Sequence, residues 1–114
     1  MALEAAIRYG KPNFVDHTPV SAVAAGEVVV VGELNMICHT AIPAGVLGAL
    51  ACGGGIYKAQ AAAAITAGAK VYWDNTANRV TTTVGSNKVL GWLCPYSSAA
   101  AANDFVEFLH DPGA

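Results

Sequence analysis

Three stretches of this chain are cut to one template. "VAAGEVVVVG" begins at Val23, "IPAGVLGALA" at Ile42 and "ITAGAKVYWD" at Ile65. Each has an apolar residue, a variable position, Ala-Gly, and then a short apolar run. In a three-residue hairpin loop the first two residues lie near the right-handed helical region and the third takes positive φ, forming a G1 bulge. Glycine suits that third place because it has no Cβ to clash. Ala24-Ala25-Gly26, Pro43-Ala44-Gly45 and Thr66-Ala67-Gly68 fit the loop, and the fixed φ of Pro43 suits its first position. Gly26, Gly45 and Gly68 are therefore expected to be structural turns, three hairpin corners of one sheet system, each followed by a strand.

The intervening residues extend this pattern. "EVVVVG" is a β-branched run without alternation, as expected of a strand buried on both faces. "AKVYW" alternates Lys70 and Tyr72 against Val71 and Trp73, the mark of a half-buried strand. Further strands are expected at 34–38, 55–59, 79–84, 88–94 and 104–110, with "DNTAN" and "GSN" as tight turns. Many short strands punctuated by turns predict a small all-β fold, a β-barrel or β-sandwich. Two alanine clusters, "KAQAAAAIT" and "SSAAAAND", are too short to stand as helices. They are expected to form loops or single helical turns, capped in the second cluster by Ser97 or Ser98. Residues 1–12 lack a strand pattern and are expected to form an N-terminal arm, with residues 13–114 as one β domain.

Composition narrows the function. The 114 residues are 54% hydrophobic and 12% charged, against about 25% charged in an ordinary soluble domain. So little charge to keep the surface wet points to a surface covered in an assembly, with a compact monomer as the alternative. The net charge of −2, with Lys and Arg scattered singly, argues against nucleic-acid binding. No charged residue occurs from Leu34 to Tyr57, but His39, Pro43 and several glycines interrupt that stretch, so no membrane span is expected. Glu4 and Arg8 stand where a signal peptide would carry its apolar centre.

No catalytic constellation emerges. Around Gly10-Lys11, Ala5 stands where a P-loop needs its first glycine, and Pro12 where it needs Ser or Thr. The pairs Asp16–His17 and His110–Asp111 are sequence neighbours, which a strand would send to opposite faces. Cys38, Cys52 and Cys94 have no recognised ligand spacing even with His39, and they read as reduced, small apolar residues. No metal, cofactor or enzymatic activity is expected. Trp73 and Trp92 are read as core. Leu3, Ile7, Arg8, Tyr9, Lys11 and Phe14, in or near an arm with no core of its own, are the candidate contacts to a partner or a neighbouring subunit.

The succession "NFVDHTPVSAVAAGEVVVVGEL", "AIPAGVLGALACGGGIYKA", "AAITAGAKVYWDNTANRVTTT" and "LGWLCPYSSAAAAND" resembles a family of small phage and prophage proteins over about Asn13 to Asp104. Its most specific pieces are "TPVSAVAAGEVVVVG" and "ITAGAKVYWD". Members often carry the label of a predicted RecA/RadA-type recombinase, whereas characterised relatives are capsid cement, or head decoration, proteins. Relatives usually end in a basic alternating strand, while this chain ends "DFVEFLHDPGA" and carries a longer arm. The resemblance implies a barrel-like fold similar to lambda-like decoration proteins. It also implies a homotrimer bound to the major capsid protein on the outer surface of the expanded virion head, assembled in the host cytoplasm. Another virion structural role, as a head-completion or tail protein, is the alternative. A DNA-recombination protein is the least favoured reading, given the missing P-loop.

Overall fold

The computed structural model describes residues 5–10 and 12–114. Ten strands form two antiparallel sheets, and no helix occurs among the described residues. The larger sheet contains β1 (Ala6–Tyr9), β6 (Ile56–Gln60), β7 (Lys70–Asp74), β8 (Arg79–Thr81), β9 (Lys88–Leu93) and β10 (Phe105–His110). Its spatial order is β1-β6-β10-β9-β7-β8. The smaller contains β2 (Phe14–His17), β3 (Val28–Val31), β4 (Leu34–Ile37) and β5 (Gly48–Ala51), in the order β2-β5-β4-β3.

The larger sheet owes its shape to clean alternation. In β6, β7 and β10 every second residue is buried: Tyr57 and Ala59, Val71 and Trp73, then Val106, Phe108 and His110. With Leu90, Leu93 and Val80 these side chains fill a core inside the curled sheet, and Val28, Ile37 and Ala51 of the smaller sheet join it. The curl brings Ala61, just past β6, into one parallel bridge with Val80 of β8, where the Ala62 N–H donates to the Val80 carbonyl at 2.7 Å. A single bridge is not a ladder, so the fold is all-β but the barrel does not close.

Several expectations change in detail. Gly26, Gly45 and Gly68 have φ of 83°, 74° and 78°. Each is the third residue of a four-residue turn closed by Glu27 N–H to Ala24 O, Val46 N–H to Pro43 O and Ala69 N–H to Thr66 O. A positive-φ glycine in that place is what a type II turn requires. These turns are not hairpin corners, because the apolar residue ahead of each pairs elsewhere. Val23 bridges Ile42, so two copies of the template clasp each other, while Ile65 bridges Ala99. A strand does follow each turn: β3, β5 and β7.

The run "EVVVVG" is not doubly buried: β3 is the edge of the smaller sheet, from buried Val28 to exposed Val31. The alanine clusters face each other without helical turns. Ala61 and Ile65 accept and donate backbone bonds with Asn103, Asp104 and Ala99, since small side chains let the two segments approach. Ser97 caps nothing helical; its Oγ accepts the Glu107 N–H. Residues 6–9, expected to lack a strand, form β1 and pair with β6. Ala5 is buried, and its N–H donates to the carbonyl of Gly26 at 2.8 Å.

Candidate interaction surface

The expected contact residues divide between the two sheets. Ile7 and Arg8 lie on β1, which Tyr9 ends, while Phe14 opens β2 on the smaller sheet. Leu3 and Lys11 lie outside the described residues. Ile7 is exposed, and Arg8 Nε reaches Glu107 Oε2 at 3.3 Å. Phe14 is half exposed, and its ring meets His39 edge-on with centroids 5.1 Å apart. Thus β1 carries Ile7 opposite Tyr57 and sends Arg8 toward Glu107 on the other face, while Phe14 belongs to the smaller sheet.

The larger sheet also has an outer face that the sequence reading missed. Cross-strand register sets Lys70 opposite Trp92, Trp92 opposite Leu109, and Leu109 opposite Ile56, one row across four strands. Beside it run Glu107 opposite Lys58 and Phe105 opposite Gln60. Trp92 is 40% exposed, Leu109 42%, Phe105 60% and neighbouring Tyr96 64%. Lys58 Nζ sits 4.9 Å from the Phe105 ring centroid and Lys70 Nζ 5.8 Å from that of Trp92. The Tyr96 hydroxyl donates to Glu107 Oε1 at 2.6 Å, so Tyr96 and Arg8 together occupy that carboxylate. The bond to Glu107 is also the leading reason the Tyr96 phenol is held above its ordinary pKa.

Trp92 was read as core from its place in an expected strand, where strict alternation puts it on the face of Leu90. The ladder with β7 breaks that alternation: Val71 pairs with Gly91 and Tyr72 with Val89, so Leu90 is the extra residue of a bulge. Leu90 and Gly91 are both buried, and Trp92 emerges on the outside. A glycine inside a strand pattern was the available signal. Trp73 is core, as expected, and fully buried.

A second cluster joins the sheets. The three glycines of "CGGG" all bond His110. Gly53 N–H donates to its Nδ1 at 3.2 Å, Gly54 N–H to its carbonyl at 2.8 Å, and Gly55 O accepts its N–H at 3.1 Å. With Nδ1 accepting, Nε2 carries the proton and donates to Asn35 O at 3.0 Å. Asn35 Nδ2 in turn donates to the carbonyls of Lys88 and Val89, each at 2.9 Å. Burial is the main force lowering the His110 pKa and favouring this neutral ring. His39, whose Nε2 lies 2.6 Å from the Tyr57 hydroxyl, is likewise lowered by burial, and burial raises Tyr57.

Chemically, these arrangements serve contact and cohesion. Cys38, Cys52 and Cys94 are free thiols, with Cys38 Sγ donating to Thr40 O at 3.0 Å. Among the described residues no group of His, Cys, Asp and Glu is gathered to hold a metal ion. An exposed aromatic and aliphatic row flanked by cations has the make-up of a protein–protein interface. Neither the curated proteins nor the solved structures gave a match to the chain. A family model described as phage cement protein matches residues 9–109. On that match over most of its length, the chain belongs to the phage cement protein family.

Proposed function

We propose that this chain is a non-enzymatic decoration protein that binds the major capsid protein on the outside of the expanded phage head and stabilises the shell there. The family match carries this reading, and the exposed aromatic row on the larger sheet supports it by supplying surface to bury. Binding to the expanded state alone stabilises that state by mass action. A homotrimer would multiply weak contacts through avidity, with each subunit reaching one site on the lattice. Ile7 and Arg8 on β1, together with Leu3, Tyr9, Lys11 and Phe14, are proposed to contribute capsid or subunit contacts.

The test is reconstitution. Purified protein is added to heads assembled without it, in unexpanded and expanded forms, and bound protein is measured by sedimentation. Saturable binding to expanded heads only, with DNA retained to higher temperature, is the expected result. Equal binding to both forms, or a labelled copy located on tails by electron microscopy, overturns the proposal.

A further inference from the structure

We propose that the shell is gripped by the outer face of the six-stranded sheet, through an apolar contact centred on Trp92, Leu109 and Phe105 and directed at an acidic surface of the partner. This rests on the cement reading and adds to it the docking face and the chemistry of what it meets. The row Lys70–Trp92–Leu109–Ile56 is continuous by register, and Trp92 and Leu109 at its middle are exposed. Single exposed apolar residues are ordinary, but Trp92, Leu109 and Phe105 on two adjoining strands form a patch of the kind that marks an interface.

Charge selects the partner. The chain as a whole is acidic, with eight Asp and Glu against six Lys and Arg. Three of those six, Arg8, Lys58 and Lys70, border this face. Its central carboxylate, Glu107, is already held by Arg8 and Tyr96. Asp74 lies at the far end of β7, where its Oδ1 accepts the N–H groups of Thr76 and Ala77. Lys58 and Lys70 have no carboxylate within ion-pair distance among the described residues, and their ammonium groups rest over aromatic rings instead. A cation above an exposed ring is poised to meet an anion as the ring is covered, gaining both contacts at once. Nucleic acid fits poorly, because two lysines and a paired arginine around an apolar centre neutralise few phosphates.

The experiment compares wild type with Trp92→Ala and with the double variant Lys58→Glu, Lys70→Glu, and uses Val31→Ser on the opposite sheet as control. Binding to expanded heads is measured across a salt series, and oligomeric state by analytical ultracentrifugation. All four substituted positions are at least partly exposed, so melting temperatures verify folding; Lys58→Gln with Lys70→Gln is the milder pair if charge reversal lowers them. Trp92→Ala is expected to weaken binding by about 10- to 100-fold. The charge reversal should do at least as much and flatten the salt dependence, while Val31→Ser binds as wild type. Variants that bind within about twofold of wild type overturn the assignment of this face and leave the cement reading standing. Loss of self-association with head binding intact makes the face a subunit contact, which also overturns it. Wild-type protein that does not bind expanded heads removes the cement reading itself, and this proposal with it.

Discussion

The six-stranded sheet curls around Trp73, Tyr57, Phe108, Leu90 and Leu93, whereas the four-stranded sheet keeps only a small cluster of its own, Val23, Met36, Cys38, Ile42 and Leu50. Its strands are four residues long, β4 meets β5 through the single pair Ile37–Ala51, and Phe14, Val15 and Asp16 of β2 are all exposed. What holds the smaller sheet is therefore its attachment. Val28, Ile37 and Ala51 enter the larger core, Val23 and Ile42 clasp two turns together, and His110 ties Asn35 to the glycine triplet. The difference teaches that one sheet is a scaffold and the other a dependent layer. Opening of the dependent layer alone should cost less than global unfolding.

The sharpest way to break this comparison is to set one glycine of the scaffold against one of the dependent layer. At Gly91 an added Cβ would lie 1.9 Å from Leu109 O and 2.8 Å from Asp111 N, so the β9–β10 ladder would have to part. Gly91→Ala is expected to lose about 4 kcal/mol or more and to give little folded protein, read by expression yield and circular dichroism. A melting temperature near wild type would show that the scaffold tolerates a break the geometry forbids.

Acidification probes the join between the layers. Protonating His110 puts a hydrogen on Nδ1 facing the Gly53 N–H, and places a charge where burial disfavours it. The groups around it are Asp111, which favours the charge, His39, which opposes it, and the Tyr57 ring with centroids 5.7 Å away. Because the folded pKa lies below the unfolded value of about 6.5, stability is fully present above that value. It falls as the pH drops from there toward the lowered folded pKa. His39 acts with the same sign. Urea midpoints from pH 8 to pH 5 should decline below about pH 6.5, and amides of β2 to β5 should lose hydrogen-exchange protection before those of β6 to β10. Uniform loss across both sheets would mean that the layers open as one.

The smallest effect belongs to Gly45→Ala. The site has φ of 74° but open space around it, so only backbone strain of about 1–2 kcal/mol applies. A drop of several degrees in melting temperature is expected. A loss equal to that of Gly91→Ala would erase the distinction between the two sheets.

Much of this architecture was legible. The Ala-Gly template marks three turns and the strands after them, and "AKVYW" and "DFVEFLH" carry the alternation of β7 and β10. Strand order was not, because hydrophobic pattern sets which face a residue takes and says little about which strand lies beside it. For β1, four residues ahead of a glycine have no periodicity to read, and only the open edge of β6 makes them a strand. Trp92 was misplaced because one extra residue in a strand inverts every side chain beyond it. The His110 junction left no local mark, since Asn35, Gly53 and His110 meet only through the fold.

The position of β10 bears on how the protein is made. It is the latest strand in sequence, yet it lies inside the sheet with β6 on one side and β9 on the other. A ribosome adding about 5–20 residues per second takes a few seconds to travel from Gln60 to Phe105. Through that interval β6 has lost no water from its β10 side, and Tyr57 and Ala59 wait without the strand that covers them. The scaffold therefore cannot be complete until β10 has been made, and partial products ending before Phe105 leave β6 and β9 without the strand between them.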